Sequence, residues 1–130
     1  MKSLATLVLL FGAYAISAQT KPAEPLGIWE GESVCQVPKP CTTEHVIYEI
    51  KQGNAGKITI KADKVVEGKR AWMGDLSCQW SEKEQKLNCP AEGRMPGEWV
   101  FTLKGDEFKG TLTVNEGNVL FRKISVTRKK

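Results

Sequence analysis

Histidine is nearly missing from this 130-residue chain, which carries only His45. Most metal and acid/base sites draw on more than one such residue, so a His-built metal site and His-centred acid/base chemistry are disfavoured. Strong charge of one sign is also lacking. Nineteen Lys and Arg against fifteen Asp and Glu give a formal net charge of +4, too mild for a nucleic-acid-binding footprint. A membrane-spanning helix needs about 20 apolar residues, and the longest apolar stretch, Leu4 to Ile16, has 13. Beyond it no segment shows the 3.6-residue period of an amphipathic helix. What remains is ordinary: 41% hydrophobic and 26% charged residues exclude collagen-like, coiled-coil and disordered classes, and the length suits one domain.

The apolar stretch has a specific context. It follows the single positive charge at Lys2 and precedes Ser17-Ala18, the layout of a secretory signal peptide. Residues 1–18 are read as that peptide, with a cut after Ala18 or, by its Ala13-Tyr14-Ala15 tripeptide, after Ala15. Cleavage after Ala18 leaves 112 of the 130 residues, 18 basic against 15 acidic, a net of +3. No transmembrane segment remains after processing. Residues 19–26, with Pro22 and Pro25, read as a flexible tether, and residues 27–130 as the folded domain. The expected location is secreted or periplasmic.

From Gly27 onward, short runs of alternating apolar and polar residues are separated by Gly, Asn, Asp or Pro, the signature of strands and turns. The spacing predicts eight strands, at about Gly27 to Cys35, Cys41 to Lys51, Lys57 to Val66, Arg70 to Trp80, Lys86 to Ala91, Gly97 to Lys104, Phe108 to Val114 and Val119 to Arg128. Turn lengths must agree with the apolar faces, because a one-residue slip turns a strand inside out. A two-residue loop at Gly105-Asp106 sets Leu103 against Phe108. Three-residue loops at Glu116-Gly117-Asn118 and Glu67-Gly68-Lys69 pair Val114 with Leu120 and Val66 with Arg70, and a loop at Gly53-Asn54-Ala55 pairs Ile50 with Ile58. Short links allow only antiparallel neighbours. The fold class is therefore all-β, an eight-stranded antiparallel up-and-down barrel whose first and last strands meet, with a two-sheet β-sandwich as the alternative.

Export also changes the meaning of the four Cys, which in an oxidising compartment pair as disulfides. Neither Cys35-x5-Cys41 nor Cys78-x10-Cys89 has zinc-knuckle spacing. Around a turn at Glu82 to Gln85, Cys78 falls opposite Cys89 on the inner face. Around Val37-Pro38-Lys39-Pro40, Cys35 falls opposite Cys41, by parity on the outer face. Of the three connectivities, Cys35 to Cys41 plus Cys78 to Cys89 is the one expected.

The first strand opens with Gly27-Ile28-Trp29, and the last carries an inward Arg122 near the end of the chain. This pairing resembles the calycin group of lipocalins, fatty-acid-binding proteins and avidins, and no specific branch, since the lipocalin Thr-Asp-Tyr-type motif, the C-terminal helix and a helical lid are missing. The resemblance implies a barrel closed at one end by Trp29 stacked on Arg122 or Arg128, and open at the other. Simple alternation gives Trp29 and an inward Val34 opposite parity. A bulge at Gly31 would reconcile them; without one, Trp29 is expected to face out and Glu30 and Glu32 in.

The remaining inward aromatic residues, Tyr48, Trp72, Trp80, Trp99, Phe101 and Phe108, either fill the barrel or wall an apolar pocket. They are the candidate ligand-binding residues, for a small hydrophobic molecule. His45 has outward parity, and Glu30, Glu32, Glu44 and Glu49 read as solvated. With every Cys in a disulfide and no inward His, no nucleophile and base pair emerges. The expectation is a lipocalin-like, non-catalytic binding protein that needs no cofactor and holds no metal. The alternative is a secreted protein-binding or inhibitor module with a filled barrel, meeting an extracellular protein partner through loops such as Met95-Pro96.

Overall fold

The computed structural model describes residues 24–91 and 96–130, together with Gly12. The signal peptide reading of residues 1–18 lies outside them, as do most of the tether and Met95. Eight strands follow in chain order: β1 (Gly27–Cys35), β2 (Glu44–Gln52), β3 (Ile58–Val66), β4 (Lys69–Ser81), β5 (Lys86–Ala91), β6 (Gly97–Lys104), β7 (Glu107–Val114) and β8 (Val119–Arg128). Each pairs antiparallel with the next, and β1 pairs with β8 to close the barrel. The sandwich alternative is thereby excluded. Of the segment read as a tether, Glu24–Leu26 packs onto one end of the barrel and belongs to the fold.

The turns keep the inner faces aligned, though by other routes than simple alternation suggests. At Gly105-Asp106 the two-residue loop forms as expected, with Lys104 opposite Glu107 and a positive φ at Gly105 alone, as a type II′ turn requires. The β2–β3 connection is longer than read: Gln52 pairs with Ile58, so Ile50 meets Ile60 rather than Ile58. Gly53 and Lys57 close this loop, Gly53 N–H donating to the Lys57 carbonyl at 2.8 Å. A slip of two residues leaves every side chain on its own face.

Two hairpins absorb a one-residue change by a bulge. Glu67 and Gly68 both take positive φ, the pattern of a type I′ turn, which pairs Val66 with Lys69; the register shifts back between Ala62 and Asp63, with Met73 as the extra residue. Likewise a four-residue turn pairs Val114 with Val119, and Phe121 is the extra residue that returns Leu112 to Arg122. Side chains between turn and bulge change sides, so Trp72 and Leu120 point out.

No bulge occurs in β1, whose register with β2 runs unbroken from Gly27 to Ser33. Trp29 is nevertheless fully buried, alternating inward with Ser33, while Val34 is 38% exposed. The expectation of an inward Val34 was the error: it sits on the outer face, and Glu30 and Glu32 remain outside. Phe101, Phe108, Ile60, Leu87, Val46 and Val126 complete the core around Trp29. Gly110 makes room there for Phe101, because a Cβ at Gly110 would overlap that ring.

Both disulfides form as expected, Cys35 to Cys41 and Cys78 to Cys89. Cys78 and Cys89 are buried in the core. The first bridge differs in placement: β2 begins only at Glu44, so Cys41 lies in the preceding loop, and Cys35 shares the inner parity of Trp29 and Ser33 at the barrel rim. Sequence separations of 6 and 11 correspond to about 2 and about 3 kcal/mol in the chain-entropy description. Replacing Cys78 and Cys89 together by Ala is expected to cost more in urea unfolding than replacing Cys35 and Cys41; the reverse order would refute this assignment of weight.

Candidate functional site

One end of the barrel is sealed. Trp29 Nε1 donates to the Pro25 carbonyl at 2.9 Å, and its ring packs on Phe108 at 4.4 Å between centroids. The Arg128 guanidinium lies 4.4 Å above the Trp29 ring, within cation–π range. The same Arg128 donates to the carbonyls of Leu26 at 2.7 Å and Glu24 at 2.6 Å and to Asp106 Oδ1 at 3.1 Å. Those bonds tie the chain leading into β1, the β6–β7 turn and the end of β8 over one indole. Arg128, one of the two residues proposed for this role, closes the barrel; Arg122 does not.

Arg122 points inward near the opposite, open end, because one inward-facing strand position separates from the next by two residues and Ile124 and Val126 lie between. Its Nη1 donates to the Ser33 carbonyl at 3.2 Å, Ser33 Oγ at 3.3 Å and the Thr42 carbonyl at 3.0 Å. Its Nη2 lies 3.7 Å from Glu44 Oε1. Glu44 therefore faces the interior and pairs with Arg122, correcting its reading as a solvated strand residue. Beside this pair, above the filled core, a half-open cavity enters the end of the barrel. The cavity, of about 440 Å³, is lined by Ser33, Glu44, Tyr48, Leu76, Trp99 and Arg122, with Ala62 and the Met73–Asp75 stretch completing its wall. Tyr48 and Ser33 are almost wholly buried.

Burial pushes the Tyr48 phenol well above its ordinary value, opposed by the Arg122 charge and reinforced by Glu44. The hydroxyl stays protonated and available as a neutral donor. An unfolded tyrosine ionises near pH 10, roughly, so above that pH the unfolded chain releases a proton that the folded chain keeps. Stability contributed by keeping Tyr48 neutral is thus present below pH 10 and lost as pH rises further. Wild type is expected to lose about 1.4 kcal/mol more per pH unit in that range than Tyr48→Phe. Parallel alkaline urea series would check this, and identical slopes would rule it out.

The candidate binding residues divide into four groups. Tyr48 and Trp99 line the cavity. Phe101 and Phe108 are buried core residues below it, with Phe101 stacked beside Trp99 at 6.0 Å and Phe108 beneath Trp29. Trp80 is partly buried at the sealed end, beside Pro25 and Leu26. Trp72 was expected inward; the Met73 bulge turns it out, where it is 64% exposed and donates to Asp75 Oδ1 at 2.9 Å. Ser33, Glu44 and Leu76 were not among the candidates, although Leu76 and Glu44 carried the inward parity of their strands.

A larger depression, about 560 Å³, lies on the outside across β1, β6, β7 and β8 among Val34, Val100, Thr111, Lys109 and Lys123. It has no aromatic wall and no buried polar group aimed into it, so volume alone does not make it the better site. His45 faces outward as expected, 3.6 Å from Glu30. Among the described residues no helix is long and apolar enough to cross a membrane. No protein-family model matches the chain, and a search of curated proteins finds no relative.

Proposed function

We propose that the chain is an exported, non-catalytic binding module that holds one small, largely apolar and uncharged molecule in the open half of the barrel. The observation that carries this is the contrast between the two ends: Trp29 and Arg128 plug one, while the other holds a cavity of about 440 Å³ beside the Glu44–Arg122 pair. Small-molecule pockets run from roughly 300 to 1,000 Å³ and combine apolar walls with a few polar groups. Glu44 already pairs with Arg122, whose Nη1 is committed to three acceptors, and Asp75 at the wall accepts from Trp72, so no unpaired cation waits for an anionic ligand. Trp99 and Leu76 supply apolar contact, and the neutral Tyr48 hydroxyl supplies a donor. The apolar leader with Lys2 and the two disulfides support export to an oxidising compartment.

Native mass spectrometry of protein purified from its secretory host, followed by organic extraction, is expected to show a bound neutral molecule. Titration with apolar alcohols is expected to change Trp fluorescence, and Trp99→Ala to weaken binding by about 10-fold or more, the equivalent of burying one large side chain. An empty protein whose fluorescence ignores the whole panel would end this reading.

The alternative of a protein-binding module has its own observation. Val66, Trp72 and Met73 are exposed together on the β3–β4 hairpin, and tryptophan is a common anchor at protein interfaces. It predicts capture of one extracellular protein at fixed stoichiometry, lost in Trp72→Ala while alcohol binding is unchanged.

A further inference from the structure

The barrel wall is not equally knit all round. β4 and β5 share three residue pairs, Gln79 with Asn88, Trp80 with Leu87 and Ser81 with Lys86, whereas the other ladders run from six to nine pairs. β4 is the longest strand, at 13 residues, so most of it has no ladder on its β5 side. The Cys78–Cys89 disulfide, with Cα atoms 4.2 Å apart, stands at the fork. Above it Pro90 has no N–H to donate across to β4, while β5 stays paired with β6 through Ala91. The gap between the strands is a depression of about 340 Å³ lined by Leu76, Ser77, Pro90, Ala91 and Trp99, with Lys57 and Asp75 at its outer side.

Leu76, Asp75 and Trp99 line both this gap and the interior cavity. Leu76 and Trp99 are only partly buried, so the partition between the two spaces is made of side chains and not of a hydrogen-bonded ladder. Side chains change rotamer at low cost where packing leaves room, and a strand ladder does not.

We propose that the gap is a side opening of the cavity and that the ligand is an elongated, unbranched apolar chain. Its polar end lies beside Glu44 and Arg122, and its tail leaves the barrel between β4 and β5, past Leu76 and Trp99. This rests on the reading of the open half as a ligand cavity. A compact ring system would end at Leu76 and Trp99, whereas Leu76, Pro90, Ala91 and the Trp99 face offer continuous apolar contact to a chain.

The test is a length series of straight-chain 1-alkanols, from hexanol to tetradecanol, titrated against the protein with Trp fluorescence and calorimetry. Each methylene removed from water tightens binding about fourfold. In wild type the tightening is expected to continue through the longest chains. Ala91→Trp, which plugs the gap, is expected to bind hexanol as wild type does and to gain nothing beyond a shorter chain; Ser77→Trp, at a position that lines the gap and not the cavity, provides the same block from the β4 side should the first variant fail to fold. If wild type levels off at the same length as either folded variant, or at the shortest chains, the side opening is refuted while the cavity reading stands. If no alkanol of any length binds wild type, the cavity reading falls and the side opening with it.

Discussion

Trp29→Ala is expected to remove about 3–5 kcal/mol of folding stability, the range for truncating a large buried aromatic residue. The indole is 0% exposed and packs on Phe108, so its loss leaves a void at the sealed end. Two further interactions go with it. The Pro25 carbonyl loses the donor at 2.9 Å, and Arg128 loses the ring 4.4 Å below its guanidinium, while its bonds to Leu26, Glu24 and Asp106 remain. Domains of this size hold only about 5–15 kcal/mol in all, so the variant is expected to be partly unfolded at 37 °C or close to it. Trp29→Phe retains most of the apolar volume and isolates the lost N–H donor, at about 1–2 kcal/mol. Urea unfolding followed by the remaining Trp fluorescence would separate the two. A loss below about 1 kcal/mol for Trp29→Ala would mean that the indole does not hold the sealed end together.

The strand count, the barrel and both disulfides were legible because they depend on alternation and on turn chemistry, which are local. Gly105-Asp106 illustrates this, since its loop length and its glycine agree with the faces on both sides. The two-residue slip at β2–β3 was invisible for the same reason that it is harmless: Ile50 stays inside whether it meets Ile58 or Ile60. Bulges were the main source of error. Nothing in the run Ala71-Trp72-Met73-Gly74 distinguishes an extra residue from a normal pair, and the choice is made by the tight Glu67-Gly68 turn one step away. Trp72 is consequently outside, and with it a residue expected to bind ligand. In β1 the opposite holds: Trp29 and Val34 need no bulge to reconcile them, because Val34 lies on the outer face of the strand, where a single exposed valine is tolerated. The polar part of the site was hidden for another reason. Glu44 and Arg122 are 78 positions apart, and only closure of β8 onto β1 brings Arg122 to Ser33 and Glu44.

That closing seam makes Gly31→Ala the second substitution with a large expected effect, a loss of more than about 3 kcal/mol, above the usual range for overpacking. Gly31 pairs with Val126 across the seam. A Cβ there would overlap the Ser125 carbonyl oxygen and lie 2.8 Å from Val126 Cα. These are backbone atoms, so no rotamer change relieves the contact, and β1 must move off β8. Gly110 offers a comparison, since its Cβ would meet the ring of Phe101 and not backbone, and a ring can shift. Gly68→Ala is the control: its φ of +75° is strained for alanine but nothing lies within 4 Å, and about 1 kcal/mol is expected. The seam also holds both ends of the barrel, Arg128 over Trp29 and Arg122 against Ser33. Gly31→Ala is therefore expected to speed amide exchange along β8 and to weaken alkanol binding in the cavity, which Ser33 lines two residues further along β1, whereas Gly68→Ala leaves both unchanged. Equal stabilities for the two variants would show that β1 and β8 approach less closely than this packing requires.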